Sequence, residues 1–293
     1  MKNLIIGASG KIGKYFLRNR KNNYIFTYNN NKIKGGIKFN ILNEKIEKIT
    51  KKHQIDGIVI LSAYSDPDFC IKNKKKSNFL NVVKTKELIK EIINKKIYFI
   101  FFSSEFVYDG KKGNYNERDK PNPINLYGKQ KLSLERFIKK NTKKYCIFRI
   151  GKTYGDNFNE KTLITDFLLK TKEQKPVVKG AVDQIFSPLY SKDLTKVTDF
   201  FLKNKFYGTY NIGGPEKFSR YSLYKKFNSN LKKNKIFKEV NIKKIFLSDL
   251  VFDDKRPKNV SFNVKKVLKV LNFKLNKIEN VLNKIINEKF VRR

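Results

Sequence analysis

Three side chains stand at spacings that suit proton transfer to a carbonyl: Ser104, Tyr127 and Lys131. Tyr127 and Lys131 are four apart in Leu126 to Lys140, which reads as a helix, so they share one face. A hydroxyl, a phenol and an ammonium that converge can polarise a carbonyl and protonate its oxygen. Tyr-x-x-x-Lys also occurs at Tyr28/Lys32, Tyr108/Lys112 and Tyr221/Lys225, where a surface helix pair is the simpler reading. Context singles out Tyr127. An apolar run, Ile97-Tyr98-Phe99-Ile100-Phe101-Phe102, reads as a buried parallel strand that delivers Ser103-Ser104 to a strand end. A loop containing Pro121 and Pro123 follows, then the Tyr127 helix, then another buried strand, Tyr145 to Ile150. Ligands of open α/β sheets sit at the carboxyl ends of strands, which is where this arrangement places Ser104.

A second constellation lies at the N-terminus. The apolar run Asn3 to Ile6 leads into Gly7-Ala8-Ser9-Gly10-Lys11-Ile12-Gly13, and an amphipathic helix begins near Lys11. Glycines in a strand-to-helix turn allow a tight turn and close approach of backbone to a pyrophosphate, which rests on the helix N-terminus. Gly7, Gly10 and Gly13, with Ser9, Lys11 and Ile12 between them, are therefore candidate dinucleotide-binding residues. The second strand, Tyr24 to Tyr28, ends in Asn29-Asn30-Asn31-Lys32. A site for NAD usually carries Asp or Glu here for the ribose hydroxyls. With amides such as Asn29 and the cation Lys32 instead, NADP(H) is expected in preference to NAD(H).

The remaining elements must hold these two constellations together. A short strand is expected at Ile37 to Asn40, a helix at Glu44 to Lys52, and a fourth strand at Asp56 to Leu61 ending in Ser62-Ala63-Tyr64. A long helix covers Lys76 to Asn94. Strands alternating with helices on this scale predict an α/β fold with a Rossmann-type, doubly wound parallel sheet. The expected division is a nucleotide-binding domain over residues 1–151 and a mainly substrate-binding region over 152–293, some of whose segments return to the sheet. Past Gly151 the pattern loosens: a helix near Thr162 to Thr171, an extended Pro176 to Val178, a helix opening near Leu194, a strand at Gly208 to Ile212, a helix at Tyr221 to Lys232, a loop at Asp254 to Ser261, and an amphipathic helix at 278–290.

The 293 residues are 40% hydrophobic, with 25 Phe and 15 Tyr, enough for a sizeable core. The net charge of +40 comes from 66 basic against 26 acidic residues. Lysine dominates it and is spread along the chain, with no Arg-rich stripe or aromatic RNA-binding signature. Nucleic-acid binding is therefore not expected. Such a surface still attracts a doubly anionic nucleotide. One histidine (His53) and two isolated cysteines (Cys70, Cys146) supply neither a disulfide framework nor a metal site; Cys146 reads as a core thiol. No apolar run reaches the ~18 residues that span a bilayer, and no signal peptide precedes the first strand, so a cytoplasmic protein is expected.

Taken in order, the stretches Gly7–Gly13, Ser103–Gly110, Tyr127–Lys131, Arg149–Gly155, Asp183–Leu194, Gly208–Tyr221 and Arg256–Ser261 resemble the extended short-chain dehydrogenase/reductases, and within them the dTDP-4-dehydrorhamnose reductases. The resemblance implies that Ser104, Tyr127 and Lys131 are catalytic. It implies that Ser62, Ala63 and Tyr64 run beside the cofactor, that Asn40 stands where an Asp commonly holds adenine, and that Glu105 and Arg256 face a nucleotide sugar. It also implies reduction of a 4-keto sugar, with Lys131 stabilising the Tyr127 phenolate, and dimers are common among such proteins. Ser104 replaces a frequent Thr, Glu105 a frequent Asp, and Ile150-Gly151-Lys152 a more polar and aromatic stretch, which leaves the sugar open. An epimerase or 4,6-dehydratase on the same fold is the nearest rival. Dehydratases carry Asp-Glu after the catalytic hydroxyl, and here Phe106 follows Glu105. The fold also resembles the non-catalytic regulatory subunit of methionine adenosyltransferase, including its Ser219-Arg220-Tyr221 stretch.

Overall fold

The computed structural model describes residues 2–18, 23–157, 162–234 and 239–288. Its centre is a seven-stranded parallel sheet. Along the chain, β1 (Asn3–Ile6) leads into α1 (Gly13–Arg18), followed by β2 (Tyr24–Tyr28), β3 (Ile37–Lys38), α2 (Glu47–Thr50) and β4 (Gly57–Ile60). Next come α3 (Pro67–Lys72), α4 (Lys74–Asn78), a π-helical segment over Phe79–Lys84 and α5 (Thr85–Asn94). Then β5 (Tyr98–Ser104) ends in a 3-10 turn at Glu105–Val107, and α6 (Leu126–Asn141) precedes β6 (Cys146–Ile150). The remainder consists of β7 (Thr153–Tyr154), α7 (Leu163–Lys170), β8 (Val177–Ala181), β9 (Ile185–Phe186), β10 (Leu189–Tyr190), α8 (Ser191–Asn204), β11 (Gly208–Ile212), β12 (Phe218–Ser219), α9 (Arg220–Asn234), β13 (Asn241–Ile245), α10 (Lys265–Val270) and α11 (Ile278–Ile286). The sheet order is β11-β6-β5-β4-β1-β2-β3.

Continuous apolar strands form this sheet because both of its faces are covered. Alternate residues of β5 divide between two cores. Tyr98, Ile100 and Phe102 point to one that includes Phe16, Phe148, Leu194 and Phe201. Phe99 and Phe101 point to the other, with Leu88, Ile92, Leu134 and Ile138. Helices α1 and α8 thus cover one face and α5 and α6 the other, the doubly wound arrangement that the strand–helix alternation predicts. A third core joins Leu163, Phe167, Leu223, Phe227, Val281 and Ile285, under α7, α9 and α11. β11, although late in sequence, pairs in parallel with β6 across Gly208–Ile212 and closes one edge of the central sheet.

The elements depart from expectation at their ends and inside one helix. The helix expected over Lys76 to Asn94 instead runs from Lys74 and carries the π-helical turn at its centre. That turn directs Asn81 inward, 1% exposed, although apolar residues flank it on both sides. Such turns recur where a helix must aim one polar group at a site. The helix expected over Glu44 to Lys52 is a single turn, and residues 289 and 290 of the expected last helix lie outside the described residues. Among the described residues no helix is long and apolar enough to cross a membrane.

Candidate active site

The glycine turn is held by close approach. Gly7 has φ +85°, where an L side chain is strained, and an added Cβ would meet the Ser62 backbone N at 2.9 Å. A Cβ on Gly13 would lie 2.3 Å from the Ala8 carbonyl oxygen, so α1 packs directly on the turn that precedes it. The turn is closed by Gly10 N–H donating to Gly7 O at 3.2 Å, and Ser9, Lys11 and Ile12 lie within or just after it. Ser62 therefore stands against Gly7. Tyr64 is clamped from both sides: its N–H donates to Asn81 Oδ1 at 2.8 Å, and Asn81 Nδ2 donates to its carbonyl at 2.9 Å. These contacts place Ser62-Ala63-Tyr64 beside the glycine turn. Asn29 and Lys32 follow β2 on the surface. Asn40 uses its side-chain oxygen to accept from Leu42 N–H at 3.0 Å, a local turn that its position in the loop after β3 requires.

At the end of β5, Ser104, Tyr127 and Lys131 come together in a buried setting, 9%, 7% and 3% exposed. Ser104 caps the 3-10 turn by accepting from Phe106 N–H at 3.2 Å, and its hydroxyl favours the ionised form of the nearby Tyr127 phenol. Lys131 Nζ donates to the Phe102 carbonyl at 2.8 Å and lies 5.7 Å from the centre of the Tyr127 ring. Helix α6 is fixed at its start and along its length. Asn125 caps it, Oδ1 accepting from Gly128 N–H at 2.8 Å, a contact that stabilises a helix by about 1 kcal/mol. One turn past Lys131, Glu135 meets Arg149 of β6 at 2.6 Å and accepts from Ser103 at 2.6 Å, all buried. Losing one partner of such a pair strands a charge, so α6 has one seating on the sheet.

The electrostatics differ from the sequence expectation in one respect. Burial, then Cys70 and Glu105, push the Tyr127 phenol above its ordinary range, and only the Ser104 hydrogen bond opposes them. Burial also pushes Lys131 down to about 8, against the pull of Cys70 and Glu135. The phenol is thus proton-loaded at neutral pH rather than primed as phenolate. The reason is that a nearly dry site penalises both charges more than their separation lets them compensate. Glu105 is 5% exposed, and burial pushes its carboxyl up to about 8, partly offset by Lys152.

Other residues at the site carried weaker sequence signals. Asn81 Nδ2 donates to Gln130 Oε1 at 2.7 Å, Gln130 Nε2 to Ser77 Oγ at 3.0 Å, and Ser77 Oγ to the Cys70 carbonyl at 3.0 Å. This buried chain links the Tyr64 loop to the helix of Tyr127. Asn81 lies in the apolar run Phe79 to Val83 and shares a buried face with Ser77 and Thr85; Gln130 lies between Tyr127 and Lys131 but has no pattern of its own. Lys152 donates its backbone N–H to Glu105 Oε2 at 3.1 Å. Arg256 lies at the same side but is committed: Nη2 meets Asp68 at 2.8 Å, Nη1 donates to the Asp254 carbonyl at 3.0 Å, and the guanidinium lies over Phe252 at 4.7 Å. Asp254 in turn accepts from Leu126 N–H at 2.8 Å, so the 253–256 loop is tied to the first turn of α6.

A parallel sheet with a glycine turn after its first strand, and Ser, Tyr and Lys gathered at its fifth, defines a protein of the nucleotide-binding epimerase/dehydratase superfamily. More narrowly, the chain belongs to the family described as RmlD substrate binding domain, whose model matches residues 1–290. It is similar to methionine adenosyltransferase 2 subunit beta of Xenopus tropicalis, 28% identical over 231 residues, 75% of this chain and 69% of that protein. It is also similar to a solved structure described as a hypothetical dTDP-4-dehydrorhamnose reductase from Sulfolobus tokodaii, 26% identical, TM-score 0.82, covering 95% of this chain and 97% of the other. The fold is shared with dTDP-4-dehydrorhamnose reductase from Bacillus anthracis in complex with NADP, 23% identical, TM-score 0.83, covering 99% and 100%.

Proposed function

We propose that the protein is an NADPH-dependent reductase of a 4-keto nucleotide sugar, of the dTDP-4-dehydrorhamnose reductase type, acting in deoxysugar or surface-polysaccharide synthesis. The observation that carries this reading is the convergence of Ser104, Tyr127 and Lys131 in one dry cleft beside the glycine turn. The turn suits a dinucleotide: side chains at Gly7 and Gly13 would collide with Ser62 and Ala8 and break the tight packing that brings the backbone close to a pyrophosphate. Gly7, Ser9, Gly10, Lys11, Ile12 and Gly13 would hold the pyrophosphate. Ser62, Ala63 and Tyr64 would lie along the ribose and nicotinamide. Amides and Lys32 after β2, with no carboxylate, favour the 2′-phosphate of NADP.

A bound nicotinamide supplies the hydride. Ser104 donates a hydrogen bond to the sugar carbonyl oxygen and fixes its position. Tyr127, fully protonated at neutral pH, gives its proton to that oxygen as it becomes an alcohol. Lys131 keeps positive charge beside the ring and steadies the phenolate left behind. Glu105 is the carboxylate that directly follows Ser104, and a net reduction requires no further acid–base pair.

A second reading, a non-catalytic regulatory subunit, is favoured by the similarity to methionine adenosyltransferase 2 subunit beta. Incubation with a 4-keto nucleotide sugar and stoichiometric NADPH, with analysis of both products, separates the readings. A reductase forms one NADP per sugar alcohol. Sugar conversion without NADP formation would instead establish an epimerase, and NADPH binding without any conversion of a panel of such sugars would support the regulatory subunit.

A further inference from the structure

Asp68 stands where three segments of the chain meet. It lies in the first turn of α3, which Asp66 caps by accepting from Asp68 N–H at 2.9 Å. Helix α3 follows closely on Ser62-Ala63-Tyr64 and is bound to that stretch. The Tyr64 and Phe69 rings are 4.6 Å apart, and Cys70 Sγ donates to the Tyr64 carbonyl at 3.3 Å. From this position the Asp68 carboxylate reaches a loop that begins 185 residues further along the chain. Its Oδ1 accepts from the backbone N–H of Asp253 at 3.1 Å and of Asp254 at 3.0 Å, and Oδ2 meets Arg256 Nη2 at 2.8 Å.

The same loop grips the start of α6. Asp254 Oδ2 accepts from Leu126 N–H at 2.8 Å, and the Lys255 carbonyl accepts from Asn125 Nδ2 at 3.2 Å. Leu126 N–H is one of the first-turn donors that a helix leaves without an internal partner, and a carboxylate there also suits the helix dipole. Asn125, oriented by Lys255, places Oδ1 on Gly128 N–H at 2.8 Å. The bonds to Leu126 and Gly128 bracket Tyr127.

One carboxylate thus joins the stretch assigned to the nicotinamide side of the cleft to the first turn of the helix that carries the phenol. We propose that Asp68 is a positioning residue for Tyr127: by holding the backbone of Asp253 and Asp254 it fixes the start of α6 against α3. The two backbone bonds carry this role. They set the course of the loop directly, whereas the ion pair with Arg256 ends on a long side chain that must itself be ordered. The inference rests on the reductase reading of the cleft.

Steady-state kinetics with a 4-keto nucleotide sugar and NADPH test it, together with hydrogen–deuterium exchange over residues 125–131. Asp68→Ala should lower kcat about tenfold to a hundredfold, because a slightly displaced proton donor is that costly, while the NADPH dissociation constant stays within about twofold of wild type. Exchange in the first turn of α6 should quicken in the folded variant. Asp68→Asn keeps an oxygen for both N–H groups and should recover most of the lost turnover. Asp254→Ala should reproduce the loss from the other end of the path, and it provides the same readouts if Asp68→Ala does not fold. The double variant should be no slower than the slower single one, since both act along one chain of bonds. Wild-type kcat and unchanged exchange in Asp68→Ala would overturn the proposal. So would additive losses in the double variant, or a loss that Asp68→Asn does not recover, which would move the role to the Arg256 ion pair. If the wild type reduces no such sugar, the reductase reading falls and exchange alone decides the coupling: faster exchange in Asp68→Ala supports it, and unchanged exchange overturns it.

Discussion

On the glycine-turn side of the cleft the candidate cofactor-binding groups come from one stretch of chain, Gly7 to Gly13, and would act through backbone. Gly7 at φ +85° touches Ser62, and Gly13 touches Ala8. On the opposite side the candidate groups are side chains drawn from separate segments: Ser104 at the end of β5, Glu105 just after it, and Tyr127 and Lys131 on α6. The first side can be read as a local pattern, because close backbone approach needs glycine at fixed positions. The second is charged and buried, and its properties follow from what surrounds each group. Burial raises the acids Tyr127 and Glu105 and lowers the base Lys131 together. One wall is therefore tuned by shape and the other by desolvation.

This contrast can be broken most sharply at the proposed proton donor. Tyr127→Phe removes one oxygen from the desolvated wall and nothing from the glycine turn. Turnover should fall about 10²- to 10⁴-fold while NADPH affinity stays near wild type. Wild-type turnover in this variant would transfer the role to another group. The converse variant is Gly7→Ala. It forces an L side chain into a positive-φ position against the Ser62 backbone, and NADPH affinity should fall about tenfold to a hundredfold. Fluorescence titration of NADPH, run well below the melting temperature, measures it. An unchanged affinity would mean that the turn does not meet the dinucleotide.

Glu105→Gln sharpens the desolvation half of the comparison. The folded-state carboxyl titrates near 8, above its ordinary value, so the proton binds the folded protein more tightly than the unfolded chain. The stability this provides is complete below the unfolded carboxylate range and is lost as pH rises through about 8. Glu105→Gln keeps an oxygen to accept from Lys152 N–H but cannot titrate. Its melting temperature should therefore decline less than that of wild type between pH 5 and pH 8. Parallel curves would show that Glu105 is not the buried titrating group. The smallest effect is expected at Lys32, exposed beyond β2. Lys32→Ala should narrow the preference for NADPH over NADH by a few-fold, readable as the ratio of the two dissociation constants at moderate salt. Tighter binding of NADH by the wild type would reverse the cofactor reading.

Asn81 shows where pattern reading stopped short. Its helix was legible from apolar spacing, but the π-helical turn that swings it inward was not. A helix that departs from its regular period gives no periodic signal of doing so, and the departure is held by contacts to Tyr64 and Gln130, 17 and 49 residues away in sequence. Arg256 shows the same gap from the other direction. The resemblance implies that it faces a substrate, and the fold adds contacts of its guanidinium with Asp68, Asp254 and Phe252 that no sequence pattern announced and that bind the 253–256 loop to the start of α6.

What the sequence by itself determined was the parallel sheet, the glycine turn and the Tyr127–Lys131 helix face. Each rests on interactions between residues close in the chain: apolar continuity for strands, glycine spacing for the turn, and the i, i+4 relation for the helix. Only the tertiary structure decided how the groups titrate and which of them remain uncommitted. Desolvation and charge pairing depend on packing between segments far apart in sequence, and so the raised Tyr127 phenol, the raised Glu105 carboxyl and the lowered Lys131 ammonium follow from the folded cleft and not from any motif.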